Sequence, residues 1–397
     1  MLSLRNQFPI FARHPELTYL DSAATSQKPQ AVIDAVSEFY SATNAPVHRG
    51  LYPLGIGATG AYEAARSSVA RFIGASTEEI IFTRGATESL NLLASSLSKS
   101  WPAGSAVIVS RSEHHANFLP WQQLGIELRI ANLLPTGETD LRHVESLIDE
   151  RVVAVSLAHC SNVLGTFTPL PEVRKIMDRQ GSRAVLIADL CQSIPHLPVD
   201  VRTLDCDFAV FSGHKAYGPS GIGALWGKRS LLEALPPYQF GGEMIASVTA
   251  ESATWNDVPW KFEAGTPNVE GAIGLAAALD WIRQIGLSQI ETNTVKLSMY
   301  LSERLPDIPG MRILGRPDPR SGIVSFVVEG THPHDLAQLL GSCEVCIRAG
   351  HHCAAPLHQA LGITASNRIS FGVYNTLHDI DRALALIDQV VSEIRHA

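Results

Sequence analysis

From Glu79 onward the chain alternates short, unbroken apolar runs with stretches of helical period. EIIFT (79–83), AVIVS (106–110), ELRIAN (127–132), RVVAVSLA (151–158), AVLIAD (184–189), DFAVF (207–211) and GALWG (223–227) are too short for buried helices. They are dense in Val, Ile, Leu and Ala, and such runs read as strands buried on both faces. Between them the apolar spacing predicts helices from about Thr87, near Ala116 and over 171–180, with an earlier one near 30–40. Strands alternating with helices predict an α/β fold with a mostly parallel mixed sheet covered by helices. A long helix near 274–285 then leads into a different pattern: a helix to about Leu305, strands at MRIL and GIVSFVVE, a helix from His334, strands at CEVCIR and NRISFG, and a last helix from Thr376. This segment reads as a smaller α+β domain. The expected division is a large domain over 15–270 and a small one formed by 1–14 with 271–397.

Composition narrows the classes. With 397 residues, 45% hydrophobic and 18% charged, the chain can bury a large core. Lys plus Arg number 31 against 39 Asp plus Glu, a net charge of −8 with no basic run, which argues against a nucleic-acid partner. The first residues are broken by Pro9, Arg13, His14 and Pro15 before any apolar stretch reaches signal or membrane length, so a soluble, cytoplasmic protein without a membrane partner is expected. Six cysteines in so long a chain read as reduced thiols. Cys343 and Cys346 form a lone C-x-x-C inside a strand-like run, a weak metal or redox signal.

In a sheet of this kind ligands bind beyond the carboxyl ends of the strands. Several polar constellations fall at those ends. DFAVF runs into Ser212-Gly213-His214-Lys215. If the backbone stays extended there, Ser212 and His214 point one way and Lys215 the other. Hydroxyl and imidazole then serve an anion while the amine meets a carbonyl carbon, a layout that matches pyridoxal phosphate (PLP) held as a lysine Schiff base; a surface lysine after a strand is the plain alternative. Thr83 to Glu88 is a glycine-containing strand-to-helix turn whose free N–H groups, with the Thr87 hydroxyl, form an anion site or a simple cap. Asp189 ends AVLIAD, and a carboxylate at a buried strand end wants a cation, which the pyridinium nitrogen of PLP would be. Gln192 lies three residues on, within reach of the ring hydroxyl.

The pairs His114-His115 and His351-His352 suggest a metal, but adjacent side chains diverge and neither pair has H-E-x-x-H spacing, so no metal is expected and an imidazole stacked on a cofactor ring is preferred. Asn162, just past RVVAVSLA, adds a hydrogen-bonding group. GIGATG (55–60) matches the dinucleotide fingerprint in letters only, since no strand precedes it and no βαβ unit surrounds it. Cys353, between Gly350 and Pro356 and beside two histidines, reads as a partly exposed nucleophile rather than a core thiol.

The strings YLDSAAT, VHRG, EHHANFLPW, SNVLG, SGHKAYGPSGIG, EAGTPN and RAGHHCAAP, in this order from about residue 19 to 376, resemble the second type of PLP-dependent cysteine desulfurases, the SufS-like and CsdA-like branch of aminotransferase class V. The resemblance implies a fold-type-I PLP enzyme, a homodimer with sites at its interface. It converts L-cysteine to L-alanine, leaves a persulfide on Cys353, and passes sulfur to a SufE-like acceptor for iron–sulfur cluster or other sulfur-containing biosynthesis. It also implies roles by motif: Lys215 as the cofactor lysine, Asp189 at the pyridinium and His114 stacked on the ring. Gln192 and Asn162 lie near the ring oxygen. Ala86, Thr87, Ser212 and His214 hold the phosphate with Thr266 of the partner subunit. Arg368 binds the substrate carboxylate, with His48, Arg348 and Asn162 also at the substrate.

A selenocysteine lyase acting on L-selenocysteine with the same groups, an aminotransferase, and a catalytically impaired sulfur-relay scaffold remain as alternatives. Two departures stand out. Cys191 occupies the place of the family's alanine under the ring, and 55–60 is richer in glycine than the family, which predicts altered loop flexibility near the site entrance.

Overall fold

The computed structural model describes residues 2–315 and 321–396. Its centre is a seven-stranded sheet of β1 (Ile80–Thr83), β2 (Ala106–Ser110), β3 (Glu127–Ala131), β4 (Val152–Ala158), β5 (Val185–Asp189), β6 (Phe208–Ser212) and β7 (Gly223–Gly227), in the spatial order β1-β7-β6-β5-β4-β2-β3. Strands β2 to β6 pair in parallel, and β7 is antiparallel to both its neighbours. Two reversals cancel, so β1 runs with β6, and six carboxyl ends share one edge. Every residue of β2, β6 and β7 is buried. Unbroken apolar runs follow from that, because helices cover both faces.

The long helix Val269–Ile285 packs its apolar face into the core of the large sheet. Asn268 caps it, accepting from the Gly271 N–H at 2.8 Å while its own amide donates to the Gly221 carbonyl at 2.8 Å. The second sheet is antiparallel throughout: β8 (Met311–Ile313), β9 (Ile323–Val328), β10 (Arg348–Gly350) and β11 (Ser366–Ser370) lie in the order β8-β9-β11-β10. In the β10–β11 register Arg348 stands opposite Arg368. Asp21 bridges Ser370 at the edge of this sheet, so the YLDSAAT turn is sewn to it. Among the described residues no helix is long and apolar enough to cross a membrane.

Three expectations are corrected. GIGATG is not a loop but part of the twenty-residue helix Pro53–Phe72. Gly55 is needed there for close approach, since a Cβ would stand 2.8 Å from the Gly50 Cα, whereas Gly57 and Gly60 face open space. CEVCIR is not one strand: Cys343 caps the helix Pro333–Ser342, and Cys346 pairs in a separate two-residue strand against Tyr19. The helix expected near Ala116 is only a 3₁₀ turn, His115–Asn117, followed by the four residues Leu119–Gln122. A hairpin, Ile245–Val248 with Ala253–Trp255, was not foreseen, because its mostly exposed residues show no apolar alternation.

Candidate active site

Beyond the carboxyl edge of the large sheet, where β10 and β11 meet it, lies a cavity of about 260 Å³. It gathers Ala86, Thr87, His114, Asn162, Asp189, Ser212, His214, Lys215, Arg348, Cys353 and Arg368, eleven of the predicted residues. After Ser212 the chain does not stay extended. It tightens into a 3₁₀ turn, Gly213–Lys215, closed by the Ala216 N–H on the Gly213 carbonyl at 2.9 Å. The extended backbone on which the separation of Lys215 from Ser212 and His214 depended is therefore absent, and all three line one cavity.

The anion end is built by close approach. Gly223 lets β7 pass Gly85, since a Cβ on Gly223 would stand 2.6 Å from the Gly85 Cα; Gly85 itself adopts φ +147° ahead of the helix Ala86–Leu97. The first helical N–H, that of Ala86, donates to Ser212 Oγ at 2.9 Å. A helix of twelve residues thus opens on the cavity with Thr87 in its first turn.

Asp189, the last residue of β5, is 6% exposed. Its Oδ1 accepts the Cys191 N–H at 2.9 Å, and among the described residues no cation lies within ion-pair reach of it. Gln192 sits just behind the lining, donating from Nε2 to the Ala23 carbonyl at 2.9 Å, with its Oε1 buried and without a partner among the described residues. A buried carboxylate lacking a cation and an orphaned amide oxygen are what a bound pyridinium ring with a hydroxyl would satisfy. These residues therefore fit PLP.

His114 Nδ1 accepts the Ala116 N–H at 3.0 Å, which leaves the ring proton on Nε2. Burial, reinforced by the Lys215 charge, pushes its pKa down to about 3, so the imidazole is neutral. Its neighbour Glu113 is 1% exposed and escaped the sequence reading. Its carboxyl accepts the Ala158 N–H at 3.0 Å and the Asn117 amide at 2.6 Å, fastening the His114 turn to β4. Burial raises its pKa to about 8.

Arg368 is 2% exposed. Its Nη1 donates to the Asn162 carbonyl at 2.8 Å and its Nη2 to Asp21 Oδ1 at 2.9 Å, while Nε has no partner among the described residues. Asp21 was quoted in its motif but given no role. Cys353 follows β10 on a loop with Gly350 at φ +119°, His352 at +50° and Cys353 itself at +57°. Two successive non-glycine residues in the left-handed region are held by external bonds: Asn162 Nδ2 to the His352 carbonyl at 2.7 Å, the His115 N–H to the Cys353 carbonyl at 2.7 Å, and the Ala355 N–H to His115 Nε2 at 3.0 Å. Cys191 lines the cavity with Sγ 3.9 Å from Ser212 Oγ, and burial, with the Asp189 charge adding, pushes its thiol up to about 12.

Two predicted residues lie elsewhere in this chain. Thr266 lines a separate cavity of about 290 Å³ beside Arg84 and Tyr238. His48 lines one of about 160 Å³, its Nε2 2.9 Å from Glu63 Oε1.

A lysine and a cysteine lining one cavity agree with what comparison shows. Residues 18–383 match the aminotransferase class-V family model, and the chain belongs to that family of PLP-dependent enzymes. Its relatives within the family are cysteine desulfurases. It is 46% identical to a probable cysteine desulfurase of Halalkalibacterium halodurans, covering 95% of each chain, and 45% identical to a cysteine desulfurase of Haloferax volcanii, covering 94% of this chain and 89% of the other. Among solved structures it superposes on the apo cysteine desulfurase of Thermococcus onnurineus with a TM-score of 0.93 and on the S-sulfonic acid form of Escherichia coli CsdA with 0.91. Each is 38% identical, with 98% of both chains covered.

Proposed function

We propose that the chain takes sulfur from L-cysteine, releasing L-alanine and leaving a persulfide on Cys353. The observation that carries this reading is the meeting of Lys215 and Cys353 in one cavity with Arg368 and Asp189. Lys215 holds the cofactor, Asp189 meets its ring nitrogen, Gln192 its ring hydroxyl, and the Ala86 N–H, Thr87, Ser212 and His214 its phosphate, while the neutral His114 ring lies against its face. PLP, when bound, supplies an electron sink for the substrate Cα.

The chain's own groups do the rest. Arg368, whose Nε is free and whose charge Asp21 balances, takes the substrate carboxylate with Arg348 beside it. The Lys215 amine moves the Cα proton, and His114 Nε2–H is placed to donate. The Cys353 thiolate forms an S–S bond to the substrate sulfur as the Cβ–S bond breaks, and the carbon skeleton takes up the protons and leaves as L-alanine.

The active form we propose is a homodimer in the cytoplasm. Thr266 and His48 then serve the partner's site from the cavities in which they lie, and the exposed Leu51, Tyr52, Leu54 and Ile56 beside His48 become covered. Because its loop is fastened on both sides, Cys353 stays at the cavity, and a SufE-like acceptor protein comes to it to collect sulfur for iron–sulfur clusters or another sulfur-containing product. The test is an assay for L-alanine from L-cysteine, with mass spectrometry of the persulfide, on wild type, Lys215→Ala and Cys353→Ala. Wild type makes both products and each variant loses both; persulfide formation surviving in Cys353→Ala sinks the assignment.

A further inference from the structure

The carbonyl of His214, on the peptide bond that leads into Lys215, is an unusual convergence point. It accepts from the Ser26 N–H at 3.0 Å, Ser26 Oγ at 3.1 Å, Thr25 Oγ1 at 3.1 Å and the Lys28 ammonium at 2.8 Å. Lys28 Nζ also donates to the Ser26 carbonyl at 2.7 Å, and Ser26 Oγ in turn accepts the Tyr217 N–H at 2.7 Å. The segment 25–28 therefore grips the reactive turn on both sides of Lys215, at His214 and at Tyr217, which sits at φ +59°. Among the described residues no carboxylate lies within ion-pair reach of Lys28, so its charge is answered only by carbonyl dipoles.

We propose that Lys28 is a positioning residue for Lys215: its ammonium locks the His214–Lys215 peptide and sets a positive charge on the carbonyl that leads into the reactive residue. This rests on Lys215 being the cofactor lysine.

Asp189, Arg348, Arg368 and Cys353 share the cavity with Lys215 and are unchanged in every Lys28 variant, so their influence cancels in the comparison. Burial, with the Lys215 charge adding, holds His114 down to about 3 and His214 down to about 4; burial pushes Cys191 up to about 12. Burial brings Lys28 down to about 8, so it is mostly protonated at pH 7 and its charge fades above pH 8.

The experiment uses PLP-loaded protein and follows the visible cofactor absorbance against pH. A nearby cation disfavours a proton on the lysine–cofactor nitrogen, so Lys28→Met should move the midpoint up by ~0.5–1 unit, while Lys28→Arg leaves it within ~0.2. If the methionine variant does not fold, Lys28→Gln, which restores one donor without the charge, reads the same midpoint. A strut with no electrostatic part would lower thermal stability and leave the midpoint where it is, and that result overturns the proposal. Lys215→Ala keeps the two failures apart: if it retains the visible band, the cofactor lysine is misassigned; if it loses the band and Lys28→Met still titrates as wild type, only the role of Lys28 falls.

Discussion

Glu263 opens the EAGTPN segment that presents Thr266, and its removal gives the most quantitative test of how that segment is held. The carboxylate is buried against a guanidinium that is 1% exposed, with Arg66 Nη1 at 2.5 Å from Oε1 and Nη2 at 2.9 Å from Oε2. It also accepts the Phe82 N–H at 2.7 Å and the Tyr62 hydroxyl at 2.9 Å. Glu263→Ala strands a buried cation and two buried donors. Breaking a buried pair on one side costs ~3–5 kcal/mol, far more than the pair contributes over an apolar replacement. Glu63 remains on Arg66 at 2.9 Å but is part-exposed, which brings the expected loss to the lower half of that range. Glu63→Ala, by contrast, leaves the better partner in place and should cost only about 1 kcal/mol.

Urea unfolding of the PLP-loaded protein, read by tryptophan fluorescence and circular dichroism together, measures both. Arg66→Met added to Glu263→Ala removes the stranded charge and should recover part of the loss, a sign that simple loss of packing would not produce. Equal costs for the two glutamates, or no recovery in the double variant, would refute the reasoning.

Glu113 gives a pH-dependent stability of definite sign. Its folded pKa, raised by burial to about 8, exceeds the unfolded value, so its contribution is fully present below about pH 4 and is lost as pH rises through about 8. Glu113→Gln mimics the protonated acid; it should match wild type at pH 4.5 and exceed it by a few kcal/mol at pH 9 in urea titrations, and a constant difference across pH would contradict the assignment. Thiol labelling should follow exposure and burial. At pH 8 iodoacetamide should modify exposed Cys343 and part-exposed Cys353 well before Cys160, Cys191 and Cys206, each pushed up to about 12 by burial, as peptide mass spectrometry would record.

Strands were the most legible part of the chain. AVIVS and GALWG coincide with β2 and β7 residue for residue, because strands buried on both faces are dominated by apolar residues. The helix Pro53–Phe72 escaped for the opposite reason: a glycine such as Gly55 that serves close approach to Gly50 looks like a loop residue when the neighbour is invisible. The site divides along the same line. Lys215, Asp189, His114 and Cys353 stand out by chemistry and position at strand ends. Asp21, Lys28 and Glu113 act through Arg368, His214 and Ala158, partners 347, 186 and 45 residues away, and no local pattern announces such pairings. The side to which Lys215 points depended on a 3₁₀ turn that an extended-strand reading could not supply.

The want of a cation at Asp189 and of a donor at the Gln192 amide oxygen, among the described residues, bears on stability as well as chemistry. Without its cofactor the chain keeps a buried carboxylate with no cation and an acceptor with no donor, so cofactor binding adds folding free energy that the bare chain lacks. The expected outcome is that the PLP-loaded protein resists proteolysis longer than the bare chain. Resistance to proteolysis with and without added PLP therefore reads the proposed fit of Asp189 and Gln192 to the cofactor, apart from any sulfur chemistry.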